Sequence, residues 1–473
     1  MTIQFYNTLT RKKEQFIPIE KGIVKVYSCG PTVYSSPQIG NFRSYIFSDI
    51  LKKTLAYFNY EIKDVINITD VGHLAADSDD GEDKMLKASK KENLDPFQIA
   101  KKYEEEFIQG LEKLHIKKPE LMPRATEHIK EQIEMIQELE KKDIAYSTDD
   151  GVYFDVSKFE DYGKLSKQKL EEKESGARVE VNSQKRNPQD FALWKFLTGD
   201  NVNHVMKWES PWGIGFPGWH IECSAMSSKY LGDHFDIHTG GIDHIPIHHE
   251  NEIAQNSCSH DIKVNFWMHN DFITVDGEKL SKSLGNSYTL EDLEQKGHST
   301  LAYREMCLRS HYRKGVNFTF DSLKQGESNV KKINDFYNKL QNMESSDVED
   351  SLVNAFKSYM DEFESAIKDD LNTPEAMAAM YNFMSRVNKE KALSQGDIDL
   401  SIEFIERTNK VFSLLEEKQS LPLEVAQLAD KRKIARENKQ WELADLLRDQ
   451  LKDLGYGIKD SKDTKEGYLL TKS

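Results

Sequence analysis

The spacing of apolar residues changes several times along the chain, and each change predicts a different element. Residues 23–28 are a short β-branched run ending at Cys29-Gly30-Pro31, after which Phe42, Tyr45, Ile46, Ile50 and Leu55 recur at helical spacing. Val65-Ile66-Asn67-Ile68 then reads as a second strand. Strand, helix, strand is the unit of a parallel sheet. From residue 77 to about 119 the chain is charged and helical, broken at Leu94-Asp95-Pro96-Phe97. Ile129, Ile133, Ile136 and Leu139 mark another helical stripe, and residues 152–156 read as a strand. Residues 121–205 are therefore expected to be an insertion into the sheet domain, with a solvated loop at 171–176.

The sheet domain is expected to resume near Trp208, with a strand at 235–238 closed by Gly240-Gly241. Residues 273–280 read as a hairpin, because Asp276-Gly277 favours the tight turns that match strand twist. From about residue 300 the pattern is almost wholly helical, with a connection at 342–347 and a linker at 417–422. The fold class is α/β: a Rossmann-type parallel-sheet domain with an insertion, followed by an α-helical bundle and a small C-terminal domain.

Composition narrows the function. The 473 residues carry 64 Lys plus Arg and 80 Asp plus Glu, a net charge of −16, which excludes a basic nucleic-acid coat and a polycationic membrane binder. The balance reverses locally: residues 431–473 hold 11 Lys plus Arg against 8 Asp plus Glu, compatible with a phosphate-contacting surface or with a solvated helix face. No segment is apolar enough to span a bilayer and the start resembles no secretory signal, so a cytoplasmic location is expected. Four cysteines, at 29, 223, 258 and 307, are too few and too scattered for a disulfide framework. Cys258 and Cys307 read as buried small residues.

Three clusters could carry chemistry. In His248-His249-Glu250-Asn251-Glu252 a helix would turn His248 and Glu252 the same way, and Trp219 and Cys223 are likewise four apart. A zinc-protease reading fails, because Ile253 stands four after His249. With Cys29 at a strand end, these segments offer two thiols, an imidazole and a carboxylate, all acceptable to zinc, although each alone more readily suits an ordinary buried role. The second cluster is Gln38-Ile39-Gly40-Asn41, where glycine and a helix start favour phosphate. The third is Lys279-Leu280-Ser281-Lys282-Ser283, suited to a polyphosphate or simply a solvated basic loop. Residues 213–218 match the dinucleotide-binding glycine pattern, but the segment before them is no central strand and Pro217 fits that turn poorly, so an oxidoreductase is discounted.

Taken in order, Cys29-Gly30-Pro31-Thr32-Val33-Tyr34, Ile39-Gly40-Asn41, Asn67-Ile68-Thr69-Asp70 and residues 218–224, 248–255 and 279–286 resemble the cysteinyl-tRNA synthetases of class I. The two ATP motifs of that class fall on residues 38–41 and 279–283. The resemblance implies ATP-driven activation of L-cysteine to cysteinyl-adenylate and transfer to tRNA(Cys), with one Zn2+ and with Mg2+ accompanying ATP. It implies Cys29, Cys223, His248 and Glu252 as zinc ligands. Gln38, Asn41, Lys279 and Lys282 would be catalytic. Ile39, Gly40, His238, Asp243, Ser281 and Ser283 would join them around ATP, and Thr32, Thr69 and Trp219 would line the cysteine pocket. Arg436, Trp441, Asp445 and Asp460 would read the anticodon.

The same resemblance divides the chain into a catalytic domain at 1–120 and 206–265, the insertion at 121–205, and a stem-contact region with the second ATP motif at 266–310. A helical bundle at 311–418 and an anticodon-binding domain at 419–473 complete it. Gln38 departs from the family's histidine, and a neutral amide can donate hydrogen bonds but cannot become cationic. Leu280 for methionine is a conservative volume change. The alternatives are a ligase that joins cysteine to an amino sugar, which would lack the last domain, and a non-catalytic tRNA- or zinc-binding relative. Because four protein ligands saturate a tetrahedron, Glu252 is expected to yield when substrate sulfur binds.

Overall fold

The computed structural model describes residues 2–72, 84–167, 184–280, 285–416, 422–460 and 467–472. Four parallel strands form the central sheet in the order Lys263–Asn270, His234–Gly241, Ile23–Ser28, Glu61–Ile66. Both faces are covered, as a parallel sheet requires. Val24 and Val26 pack with Phe47, Leu51 and Leu55 of the helix Ile39–Tyr57. Tyr27, pointing the other way, packs with Ile221 and Met226 of the helix Trp219–Leu231. The second strand ends earlier than its apolar run, because beyond Ile66 the backbone bonds to residues 121–124 instead: Ile66 N–H to Leu121 O and Ile68 N–H to Pro123 O.

The break at residues 94–97 begins the helix Pro96–Lys113: Asp95 accepts the N–H groups of Phe97 and Gln98, and Gln98 returns a bond to Asp95 N–H. The hairpin forms as expected, Ile273–Val275 against Glu278–Lys279, with φ of 51° at Asp276 and 84° at Gly277.

The structure corrects the boundary of the insertion. The insertion runs past residue 205: its antiparallel sheet, Ala145–Ser147, Gly151–Phe154, Phe191–Phe196, takes Gly215–Pro217 as its last strand. The glycine-rich residues 213–218 therefore serve an antiparallel edge and not a phosphate loop. The region after residue 300 is mostly helical, with short strands where Val316–Phe318 pairs with Ile273–Val275 and Tyr456–Asp460 pairs with Tyr468–Lys472. Residues 171–176 and most of the 417–422 linker lie outside the described residues.

The chain divides into two compact units, residues 1–324 with 366–374, and residues 325–365 with 375–473. In the second, Phe383 stacks on Phe404 of the helix Gln395–Phe412 at 4.0 Å. Farther along, Val425, Ala429, Leu451 and Tyr468 gather the helices Leu423–Glu437 and Trp441–Asp453 and the terminal hairpin around a small core. No helix among the described residues is long and apolar enough to cross a membrane.

Candidate active site and metal centre

The strand ends of the sheet open into a cavity of about 660 Å3. Ligands of open α/β sheets bind at this end. Backbone bonds between residues 31–33 and Thr69 extend the pairing of the two strands: Thr69 N–H donates to Pro31 O and Val33 N–H to Thr69 O. Gly30 is required there, because a Cβ would overlap the carbonyl oxygen of Asn67. Asn67 locks the turn from both sides, accepting Gly30 N–H at 2.8 Å and donating to Thr69 Oγ1 at 3.0 Å. Thr32, Thr69, Trp219 and Asp243 all line the cavity.

The opposite wall is the start of the helix Ile39–Tyr57, which turns Gln38, Gly40 and Asn41 toward the cavity. Gln38 N–H donates to Asn41 Oδ1 at 2.9 Å, and Ile39 N–H donates to Tyr288 O. Leu280 reaches over Gly40, so residues 38–41 and the start of the segment 279–283 share one wall. Ser281, Lys282 and Ser283 lie outside the described residues.

At the floor, Cys29, Cys223, His248 and Glu252 converge, all buried, with one donor atom from each within 4.8 Å of the others. Cys29 Sγ is 4.0 Å from Cys223 Sγ and 3.5 Å from Glu252 Oε1, and His248 Nε2 is 3.1 Å from the same carboxylate oxygen. The His248–Glu252 pair is the one-turn spacing of the helix His248–His260 made real. Two soft sulfurs, an imidazole and a carboxylate within a few ångströms, buried beside a cavity, are a donor set that fits zinc. The four groups act strongly on one another's charge. Between the thiols, the bond donated by Cys29 makes Cys223 the more acidic, while burial raises Cys29. Burial opposes charge on Glu252, but His238 and His248 outweigh it and hold the carboxyl well below its usual range. His248, also opposed by burial, is carried up to about 10 by its bonds to Cys223 and Glu252.

His238 is placed differently from expectation. It is fully buried, bonded to Glu252 Oε2 at 2.9 Å and stacked on Trp267 at 4.4 Å, so it meets the donor cluster and does not line the cavity. Sequence reasoning also passed over a shell of imidazoles. His220 Nδ1 lies 2.9 Å from His248 Nδ1, and His249 and His269 are bonded to each other, both held well below the usual histidine range by burial and then by neighbouring histidines. Gly240 makes room, since a Cβ there would collide with the rings of His249 and His244. One signal was present: eight of the fourteen histidines fall within residues 220–269.

In the second unit, Arg436 Nη2 is 3.1 Å from Asp460 Oδ2, and its guanidinium lies 5.4 Å from the ring centre of Trp441, which is 55% exposed. Asp445, one turn beyond Trp441, pairs with Arg448 at 3.3 Å. The four expected anticodon residues thus fall into an Arg436–Trp441–Asp460 group and a separate ion pair.

Residues 15–328 match the profile of the class I (C) tRNA synthetase catalytic domain, 362–416 the DALR domain, and 418–466 the cysteinyl-tRNA ligase anticodon binding domain. The chain is 40% identical to a cysteine-tRNA ligase of Treponema denticola over 97% of its own length and 98% of the relative's. It is 42% identical to that of Brachyspira hyodysenteriae over 97% and 98%, and 39% identical to that of Thermus thermophilus over 98% of each. Among solved structures, Mycobacterium tuberculosis methionyl-tRNA synthetase in complex with methionyl-adenylate superposes with a TM-score of 0.57 at 14% identity, covering 83% of this chain and 90% of that one. A leucyl enzyme of Agrobacterium radiobacter gives 0.60 at 10% identity, covering 85% and 84%. Those two likenesses concern the fold alone.

Proposed function

The chain belongs to the cysteine-tRNA ligase family, and we propose that it joins L-cysteine to tRNA(Cys) with ATP, at a zinc centre formed by Cys29, Cys223, His248 and Glu252. The observation that carries the reading is the convergence of those four donors on the floor of a cavity whose far wall is a helix N-terminus. Class I synthetases use ATP, and Mg2+ would accompany it here. The reading places the protein in the cytoplasm with its tRNA.

In the first step the cysteine carboxylate attacks the α-phosphorus of ATP, and pyrophosphate leaves with the displaced bond pair. The Gly40 N–H in the first turn of the helix Ile39–Tyr57 and the Gln38 side-chain amide would hold phosphate oxygens, while Lys279 and Lys282 balance their charge. Thr32, Thr69 and Trp219 would bound the amino-acid pocket, with Asp243 beside the adenylate. His238 would position Glu252 through its bond to Oε2. In the second step a hydroxyl of the tRNA's terminal ribose attacks the carbonyl carbon and AMP departs.

Zinc at this centre would supply a preference for sulfur over a neutral hydroxyl, where shape alone separates such analogues by only about 10²-fold. The pairing of Cys29, Cys223 and His248 with a single carboxylate leaves Glu252 as the hardest ligand and the one expected to yield. Arg436, Trp441 and Asp460 would address the anticodon by stacking and polar contacts, with Asp445 beside them.

The test is transfer of labelled cysteine to acid-precipitable tRNA, with serine as parallel substrate and a chelator-treated control. Label from cysteine alone, lost on zinc removal, is expected. Cysteine-dependent pyrophosphate exchange without transfer to tRNA would instead favour the amino-sugar ligase, against which the C-terminal domain already argues.

A further inference from the structure

Thr8, His269, His249 and Cys29 form a single line of buried polar atoms through the first unit. Thr8 Oγ1 is 2.8 Å from His269 Nδ1, His269 Nε2 is 2.7 Å from His249 Nδ1, and His249 Nε2 is 3.2 Å from Cys29 Sγ. The residues come from four places in the chain: the segment after the strand Gln4–Asn7, the strand Lys263–Asn270, the helix His248–His260 and the end of the strand Ile23–Ser28. None is more than 8% exposed. Thr8 is itself anchored, because its N–H donates to Trp267 O while Asn7 accepts Trp267 N–H and donates to Asn265 O.

Two ring nitrogens 2.7 Å apart share one proton, so one donates and the other accepts. With both rings neutral, the line can run in only two directions. In the first, the Thr8 hydroxyl donates to His269 Nδ1, His269 Nε2–H donates to His249 Nδ1, and His249 Nε2–H donates to the sulfur. In the second every bond reverses, and His249 turns a lone pair toward Cys29.

A cysteine that ligates zinc does so as a thiolate, which accepts hydrogen bonds and cannot donate them. The reversed line would then set two lone pairs against each other at 3.2 Å. We infer that His269, backed by Thr8, is a positioning residue that fixes His249 in the tautomer whose Nε2–H is directed at the Cys29 thiolate. The inference rests on the zinc-centre reading above. It also decides between two overlapping donor sets, because Cys29, His238, His249 and Glu252 converge as well, and a metal held there would need the lone pair of His249 Nε2.

The experiment uses the full chain, labelled with 15N at histidine and loaded with zinc, and reads the ring nitrogens of His249 and His269 by long-range correlation to the ring protons. Both are expected to carry their proton on Nε2. His269→Leu is expected to weaken zinc binding by about 10-fold or more in a chelator competition, the usual scale for losing an outer partner of a ligand. His269→Gln, whose amide N–H can donate to the same nitrogen, is expected to restore it. A bare or metal-bound Nε2 on His249 in the zinc-loaded protein would overturn the inference, as would undiminished affinity in the leucine variant. The unsubstituted protein answers the tautomer question even if that variant does not fold. Failure of the chain to take up one zinc would instead remove the zinc-centre reading, whereas uptake with the opposite tautomer removes only this inference.

Discussion

Cys29 Sγ stands 4.0 Å from Cys223 Sγ although 194 residues separate them, and both are free thiols. One comes from the end of a strand and the other from the first turns of a helix that packs under it. The pair is expected to hold metal together with His248 and Glu252. Cys223→Ser, which changes size little but replaces a soft donor by a neutral hydroxyl, is expected to leave less than one zinc per chain. It should also lower cysteine-dependent pyrophosphate exchange at least about 10-fold. Metal analysis with exchange kinetics checks this, and a variant with full zinc and full exchange would remove Cys223 from the ligand set.

Gln38 carries no titratable group at the entrance to the helix Ile39–Tyr57, so the activation step should depend only weakly on acid-side pH. Gln38→His introduces an imidazole with an ordinary pKa near 6.5, and a new acid-side limb is expected in pyrophosphate exchange measured from about pH 5.5 to 8. Identical rates and profiles for the two proteins would show that position 38 does not act on the phosphates.

Asp70 accepts the N–H and hydroxyl of Thr126 at 2.9 and 2.6 Å, yet burial raises its pKa to about 6 and Glu222 adds to the rise, against the lowering by those bonds. A carboxyl whose folded pKa lies above its unfolded one favours folding at low pH. That advantage is complete below about pH 4 and is lost as pH rises through about 6, a change of about 3 kcal/mol. Asp70→Asn can keep an acceptor for Thr126 N–H, and its stability should vary less over that window. Urea unfolding at pH 4.5 and 7.5 measures the difference, and equal pH dependence in both proteins would contradict it.

Arg304 and Asp49 are buried partners at 2.6 Å, with side chains 0% and 1% exposed. Burial works against the Asp49 charge, but Arg304 and Lys53 hold its carboxyl below the usual range. Arg304 also donates to Leu114 O, tying the helix Thr300–Leu308 to the loop before residue 117. Arg304→Met is expected to cost about 3 kcal/mol in chemical denaturation, because Asp49 keeps Lys53 but loses its fully buried partner. A cost under about 1 kcal/mol would mean that Lys53 alone compensates the buried charge.

Trp441 is largely exposed and packs only lightly, so Trp441→Ala should fold normally. Loss of a base-stacking surface worth about 1–3 kcal/mol should raise the KM for tRNA by about 5- to 150-fold while leaving cysteine-dependent exchange unchanged. Unchanged KM would take Trp441 out of the anticodon contact.

Local order was readable from residue order alone. The parallel-sheet unit, the Asp276-Gly277 turn, the break at residues 94–97 and the one-turn spacing of His248 and Glu252 each depend on neighbours a few positions apart, and the structure contains each of them. The motif order also led to the right family. What it did not reveal depends on contacts between distant segments. The three-residue strand Val316–Phe318 exists because Ile273–Val275 lies beside it, and Gly215–Pro217 belongs to the insertion's sheet because Phe191–Phe196 offers an edge. His238 and His249 were separated from, or hidden beside, the expected ligands because a pattern of spacings does not say which faces meet. The sheet order brings the ends of the strands Ile23–Ser28, His234–Gly241 and Lys263–Asn270 together, and that packing alone joins Thr8, His269, His249 and Cys29 in one line.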